Sequence, residues 1–206
     1  VPRSPMTKPE PGLGIDERHP FAKGLVHSYP FNEGQGEICK NYAWPQGQFD
    51  LKFRVPNVFV PGVSRTWNGN VANYLNTFDV GTHGNFPSTQ VAWIQVDALG
   101  ATNTIWGNSF DAGMGWRINS TNRLELFWSD GVTYDAHKLS VPLLLADGAS
   151  QDWLQVGVPL FVAISVPTSS FPTSANFYAG FTPAGVVLLG SQGGGASIAP
   201  NGTQKV

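Results

Sequence analysis

The sequence contains little cysteine, little charge and no long apolar run. Its 206 residues include one cysteine, Cys39, which excludes an internal disulfide and any cysteine-based metal cluster. We expect Cys39 to pack as a small apolar side chain, with a reactive thiol as the alternative. A fold made without disulfides suits synthesis in a reducing cytoplasm. No apolar run approaches the roughly 18 residues of a membrane-spanning helix, so membrane insertion is not expected.

The low charge narrows the range of partners. Charged residues make up 13% of the chain, about half the usual share of roughly 25%. The 12 Lys and Arg are scattered singly and the formal net charge is −2. The basic footprint of a nucleic-acid-binding protein is therefore missing, and we expect no nucleic-acid partner. A weakly charged surface repels neighbouring molecules little, which is compatible with packing into an assembly.

Glycine and proline, in contrast, are plentiful, at 24 and 16 residues. Prolines recur through residues 1–22 and favour an extended arm. Residues 190–206 are rich in Gly and Ser and predict a flexible tail. The sequence between them, residues 23–189, predicts one domain, because 206 residues fit a single large β-sandwich. Both arms should be disordered unless the domain or a neighbouring subunit orders them.

Strand signals dominate the central segment. Ala92, Ile94, Val96 and Ala98 alternate with Val91, Trp93, Gln95 and Asp97, which predicts a strand with two distinct faces. The apolar run 159–166 predicts a strand buried on both faces. Helical periodicity is nearly absent: residues 137–146 have room for a short helical turn, and Pro142 argues against anything longer. Further strands are predicted at residues 25–29, 115–120, 123–129, 175–181 and 186–189, with turns at 120–122, 130–131 and 182–185. Short strands with regular turn signals indicate an all-β, two-sheet antiparallel jelly-roll β-sandwich.

The order of these segments resembles the laminin G-like jelly rolls of the concanavalin A-like lectin and glucanase class. The resemblance covers about residues 24–185 and rests on Gly24-Leu25-Val26 through Asn32-Glu33-Gly34-Gln35-Gly36, Trp67-Asn68-Gly69-Asn70, Asn73-Tyr74-Leu75, Ala92-Trp93-Ile94, Gly115-Trp116-Arg117-Ile118, Arg123-Leu124-Glu125-Leu126, Leu160–Val166 and Asn176-Phe177-Tyr178-Ala179-Gly180. It implies a jelly roll that binds glycans or proteins. One departure is the closing turn, where Tyr178-Ala179-Gly180 continues into Phe181-Thr182-Pro183.

His19-Pro20 shortly before Gly24-Leu25-Val26 resembles the versions of this domain that tailed bacteriophages encode. This implies a virion component such as a capsid decoration protein or part of a tail fibre. Its partners would be phage capsid or fibre proteins, with a homo-oligomer, by analogy a trimer, at the virion surface. Some relatives bind calcium through acidic loop residues. Because no clustered Asp and Asn run occurs here, we predict no cofactor, and calcium stays an unsupported alternative.

Catalysis is not expected, because the residues for it are not clustered. Glycoside hydrolysis needs two carboxylates across the sugar, and alternate residues of a strand would supply them naturally. Glu125 and Asp97 instead stand singly on their strands. Solvated turn positions are predicted for Asp111, Asp130, Asp135 and Asp147. The four histidines, His19, His27, His83 and His137, lack metal-ligand spacing.

Two functional hypotheses remain. The first is a non-catalytic virion structural protein that assembles through its arms and displays the domain. The second is a lectin-like module that binds host-surface glycans through loop aromatics and amides. The chain has seven tryptophans, of which we expect Trp93 and Trp128 to pack between or upon the sheets. The candidate glycan or partner-binding residues are Trp44, Asn68, Trp106 and Asn108, with core packing as the alternative for the two loop tryptophans.

Overall fold

The computed structural model describes residues 15–16, 18–25, 28–29, 35–43, 51–58, 75–77, 88–107, 114–128, 137–144, 152–167 and 174–193. Within these ranges the chain is mostly β-strand, with two short 3₁₀ turns, Pro20–Ala22 and Pro183–Gly185. The strands are β1 (Gln35–Cys39), β2 (Leu51–Val58), β3 (Leu75–Thr77), β4 (Ser88–Ile94), β5 (Asn103–Gly107), β6 (Met114–Ile118), β7 (Arg123–Trp128), β8 (His137–Pro142), β9 (Leu160–Val166), β10 (Ser174–Gly180) and β11 (Val187–Gly193). None of the helical segments in this described part is both long and apolar enough to cross a membrane.

The chain divides into two compact units, Val1–Val80 with Val206, and Gly81–Lys205. In the first unit, β1, β2 and β3 form an antiparallel sheet in that order. Beyond β1, the buried Asn41 accepts hydrogen bonds at Oδ1 from the backbone N–H of Ser28 (2.9 Å) and of Ala43 (3.1 Å). One amide oxygen thus satisfies two backbone donors. Cys39, at the end of β1, is fully buried, as expected for a packed apolar side chain.

The second unit contains two antiparallel sheets of four strands. Their strand orders are β11-β10-β9-β4 and β5-β6-β7-β8. After β4 the chain leaves the β11-β10-β9-β4 sheet and forms β5 to β8, which pair in sequence order as the other four-stranded sheet. It then returns to the β11-β10-β9-β4 sheet, where β9 pairs with β4. The expected all-β class is confirmed for the described residues, and the two sheets are consistent with a sandwich.

Both sheets contribute their inner faces to one hydrophobic core. In β10, Ala175, Phe177 and Ala179 are fully buried, whereas Asn176 and Tyr178 between them are half-buried. This alternation arises because successive strand residues point to opposite faces of a sheet. The core cluster comprises Val96, Trp116, Ile118, Leu124, Leu126, Trp128, Leu139, Val141, Leu143, Leu154, Leu160, Val162, Ile164, Val166, Ala175, Phe177 and Ala179. Full burial of each larger side chain contributes about 1.5–3 kcal/mol to folding.

The predicted hairpin at residues 115–129 is confirmed as β6 and β7. Asn119 closes its turn, because Oδ1 accepts hydrogen bonds from the backbone N–H of Thr121 (3.0 Å) and of Arg123 (3.1 Å). Asn122 adopts φ 56°, in the left-handed region that Asn tolerates better than most residues. Its Oδ1 also accepts a hydrogen bond from Gly100 N–H at 2.8 Å, which ties the loop after β4 to this turn.

Several predicted boundaries are wrong. Residues 137–142 form β8 rather than a helical turn, and Pro142 ends this sheet-edge strand, where a proline removes no interior ladder bond. The last strand runs to Gly193, beyond the predicted end at Leu189, because β10 pairs with it along its whole length. Leu25, Ser28 and Tyr29 lie outside any strand. The predicted division of the chain into an N-terminal arm, a central domain (residues 23–189) and a C-terminal tail stays a prediction. Residues 1–14 and 194–206 lie outside the described ranges.

Candidate functional site

One face of the β11-β10-β9-β4 sheet points away from the core, because its residues alternate with the buried ones. We call this surface the outer face. The pairing register aligns its residues into rows that cross the strands. Its members are Thr89, Val91, Trp93, Phe161, Ala163, Ser165, Asn176, Tyr178, Leu188 and Ser191. None of these side chains is charged at neutral pH.

An aromatic row forms one end of the outer face. Trp93 of β4 lies directly opposite Phe161 of β9, and their ring centroids are 5.5 Å apart at an interplanar angle of 66°. This edge-to-face arrangement is favourable for two aromatic quadrupoles, so each ring holds the other in place. Trp93 nevertheless remains 38% exposed. The row therefore presents an ordered ring surface to solvent.

A second, largely apolar row lies two residues further along each strand. Val91 pairs with Ala163, Ala163 with Tyr178, and Tyr178 with Leu188, so the row crosses all four strands. Val91 is 59% exposed and Leu188 is 54% exposed. Ala163 is buried between its neighbours. Adjacent strands lie about 4.8 Å apart, so the row spans about 14 Å.

A polar row follows at the next pair of positions. Thr89 Oγ1 donates to Ser165 Oγ at 3.1 Å, and Ser191 Oγ donates to Asn176 Oδ1 at 2.6 Å. The second bond uses the Asn176 carbonyl oxygen and not its NH₂ group, which carries two donors. Because all four residues project from paired strands, their hydrogen-bonding groups are held in a fixed line beside the apolar rows.

The 3₁₀ turn Pro183–Gly185 borders the aromatic row. Gly180 lies opposite Phe161 in the register. A Cβ on Gly180 would lie 2.8 Å from the carbonyl oxygen of Gly185 and 2.8 Å from Cα of Val186, so the turn packs directly against the glycine backbone. Thr182 Oγ1 accepts a hydrogen bond from Gly185 N–H at 3.1 Å and stabilises the turn. The outer face is thus closed at this corner by a capped turn.

A separate polar cluster lies on the second sheet. Glu125 of β7 is 5% exposed and faces Arg117 of β6 in the register. Its Oε1 accepts from Arg117 Nε (2.7 Å) and lies 2.6 Å from Nη2, and its Oε2 accepts from Asn119 Nδ2 (2.9 Å). The guanidinium also lies over the ring of Phe127, 4.4 Å from its centroid, a favourable cation–π position. Both carboxylate oxygens are therefore committed to interactions that brace the β6–β7 hairpin.

The structure describes one of the four predicted site residues, Trp106, so the grouping stays a prediction. Trp44, Asn68 and Asn108 lie outside the described residues. Trp106 was expected in a loop, but it lies in β5, paired with Trp116 of β6. Sequence reasoning did not name the outer face, although the predicted alternation already separated Val91 and Trp93 from the core-facing positions. Of the expected strand tryptophans, Trp128 is buried in the core and Trp93 lies upon its sheet, which confirms that expectation.

In the described part of the chain, no three His, Cys, Asp or Glu side chains lie close enough together to hold a metal ion. Comparison with family models, curated proteins and solved structures finds no match to this chain. The resemblance to laminin G-like jelly rolls therefore stays a prediction from the sequence.

Proposed function

We propose that this protein is non-catalytic and acts by displaying the outer face for contact with other molecules. The observation that carries the proposal is the solvent exposure of Val91, Trp93 and Leu188 on an uncharged sheet face whose opposite side packs the core. A folded domain gains stability by burying such side chains. Contiguous exposed apolar groups therefore mark contact surfaces more often than scattered ones do.

The buried carboxylate supports a non-catalytic role. A general acid or base needs access to the group whose proton it transfers. Glu125 is 5% exposed, and Arg117 and Asn119 occupy both of its oxygens. Within the described residues, the contacts of Glu125 stabilise the β6–β7 hairpin and are not arranged for proton transfer to a ligand.

The specific setting proposed is the surface of a phage virion. The protein would be a capsid decoration or fibre-associated protein that assembles through its two arms, residues 1–22 and the chain that follows β11, as a trimer by analogy, and displays a jelly roll. This part of the proposal rests on the order of the sequence motifs, the low share of charged residues and the Pro-rich and Gly-rich ends. The two four-stranded sheets agree with a jelly-roll sandwich at the level of architecture.

A lectin-like function is the second candidate. It was first suggested by Trp44, Asn68, Trp106 and Asn108, but the outer face offers a better-defined surface for it. It carries an aromatic row and a line of hydroxyl and amide groups on the same paired strands, with the row of Val91, Ala163, Tyr178 and Leu188 between them. The two functions are compatible, because a displayed surface can also bind glycans.

Light scattering on three chains tests the proposal. These are the whole chain, a chain trimmed to residues 23–193, which keeps all of β11, and a whole chain carrying Val91→Lys and Leu188→Lys. Thr104→Lys, at an exposed position of the second sheet, is the matched control. We expect the whole chain, the double variant and the control to share one oligomeric mass, and the trimmed chain to be a folded monomer.

A monomeric whole chain would contradict assembly through the arms. A fall in mass for the double variant alone would show that the outer face is buried between copies, and would contradict its display.

A further inference from the structure

We infer that residues 196–199 of one chain add as a further strand to the outer edge of β4 in a neighbouring chain. This inference rests on the proposed assembly through the arms, and it names the surface on which the arm that follows β11 docks. Addition in the plane of the sheet leaves the outer face open, so it is compatible with the display proposed above.

The edge of β4 is regular and uncharged. β4 is the outermost strand of the β11-β10-β9-β4 sheet, and within the described ranges it pairs only with β9. That pairing runs without a shift from Ser88 to Ile94. The seven residues of β4 include no proline and no charged side chain. A strand of this kind offers an even line of backbone N–H and C=O groups to a further strand.

The other outermost strands of the second unit carry features that discourage such pairing. The β10–β11 and β5–β6 registers are each interrupted by a shift. The strand β8 contains Lys138 and ends at Pro142. Bulges, lysine and proline are means by which sheets protect their edges. Among the four outermost strands described for these two sheets, β4 is therefore the one best suited to accept another strand.

The hydrophobic core is incompletely covered beside β4. Leu160 and Val162 of β9 are fully buried. Ile94 and Ala92 pair with them and pack against the same core, yet both are only half-buried. In the described part of the chain, β4 has a paired strand on one side only. An added strand with apolar side chains on this face would bury more of Ile94 and Ala92, which favours its docking.

The arm that follows β11 contains a segment suited to this edge. Ala196-Ser197-Ile198-Ala199 is uncharged and has a backbone N–H at every residue, and Pro200 follows it. The residue before a proline favours extended backbone. In a strand, Ala196 and Ile198 would share one face and Ser197 would lie on the other. The apolar pair would then cover the half-buried side chains of β4, with the serine on the outer side.

The N-terminal arm fits the edge of β4 less well. Its prolines at positions 2, 5, 9 and 11 lack the N–H group that a strand donates to its neighbour. The longest stretch between them, Met6-Thr7-Lys8, carries a charge.

The docked segment must come from a neighbouring chain. Strand directions alternate across the sheet, so Gly193 lies at the same end as Ser88. A strand added beyond β4 would lie four strand spacings from β11, about 19 Å. The chain from Gly193 to Ala196 spans at most about 11 Å. Each chain would therefore give its segment to the next, and such head-to-tail contacts close into a ring where the rotation between chains allows it.

The first test is light scattering on the whole chain and four variants. Ile198→Pro removes a backbone donor from the segment and should lower the mass to that of a single chain. Ala92→Lys puts a charge on the core-facing side of the edge and should do the same. The controls are Thr203→Pro, beyond the segment, and Thr104→Lys, at an exposed position of β5, and both should keep the mass of the unaltered chain. Thermal unfolding establishes that Ala92→Lys is folded.

The second test is cross-linking between two different chains. Val91→Cys and Ser197→Cys are introduced in separate chains, one of which carries a mass tag, and the two chains are coexpressed. Both positions lie on the outer side under the proposed alternation, so a short bismaleimide should join them. Leu99→Cys, at an exposed position outside β4, replaces Val91→Cys in the control and should give no such product. Cys39 is fully buried and should not react.

An unchanged mass for Ile198→Pro would overturn the inference, and so would cross-linking no stronger than in the Leu99→Cys control. A fall in mass for Ala92→Lys but not for Ile198→Pro would show that the edge pairs with another strand, which also contradicts the inference. In each case a whole chain that assembles and a trimmed chain that is monomeric would still support assembly through the arms. A monomeric whole chain would overturn both proposals, so the two failures are distinguishable.

Discussion

Gly180→Ala is the substitution whose effect follows most directly from the geometry. The added Cβ would lie 2.8 Å from Gly185 O, 2.8 Å from Val186 Cα and 2.9 Å from Val186 N. All three are backbone atoms, so no flexible side chain can move aside. The 3₁₀ turn must shift away from β10, and inserting a methyl group into a packed site of this kind costs about 1–3 kcal/mol. We expect the free energy of unfolding to fall by about 2 kcal/mol in a urea titration.

Gly190→Ala is the matched control, in the neighbouring strand β11. Its Cβ would lie 3.4 Å from Val141 Cγ1, an ordinary contact with a side chain. We expect a change of less than about 0.5 kcal/mol there. If Gly180→Ala were as stable as the control, the close approach of the turn to β10 would be wrong, and so would the closed corner of the outer face.

Three further substitutions test the interior of the protein. Phe177→Ala removes a fully buried ring from the core and should lower the free energy of unfolding by about 3–5 kcal/mol; a loss below 1 kcal/mol would mean that the ring is not packed between the sheets. Glu125→Ala leaves the Arg117 guanidinium without its carboxylate and should cost about 3 kcal/mol in thermal unfolding, and a neutral result would show that the pair does not brace the hairpin. Asn41→Ala removes the acceptor for two backbone N–H groups and should cost about 2 kcal/mol, with faster hydrogen exchange at the Ser28 and Ala43 amides. Unchanged exchange at both amides would contradict those bonds.

Local patterns predicted six of the eleven strands in the described residues, β4, β6, β7, β9, β10 and β11. The alternation from Val91 to Val96 reappears as alternating exposure in and just beyond β4, and the apolar run at residues 160–166 is β9. The β6–β7 hairpin was predicted from the polar turn residues before Arg123. These signals are readable because a strand's period of two and the chemistry of a tight turn depend only on neighbouring residues.

The outer face could not be predicted in the same way. Trp93 meets Phe161, which lies 68 positions later in the sequence, only because β4 and β9 pair in one register. Strand order and register depend on non-local packing, and a shift of one residue would turn every side chain to the other face. The Arg117–Glu125 ion pair was not predicted, because it depends on the register of the β6–β7 pairing. Residues 137–142 form a strand that the sequence analysis missed, although Lys138 and Ser140 alternate with the buried Leu139 and Val141 in the pattern of a half-buried strand.

The most direct test of the central claim, that the outer face is displayed, is native-state labelling of Val91→Cys with a maleimide. The whole chain supplies its own baseline, because Cys39 is fully buried and Val91 is 59% exposed. Leu99→Cys is an exposed reference outside the outer face. We predict that Val91→Cys is labelled as fast as Leu99→Cys under native conditions, while Cys39 reacts only on unfolding. Protection of Val91→Cys to the level of Cys39 would contradict display and place the outer face inside the assembly.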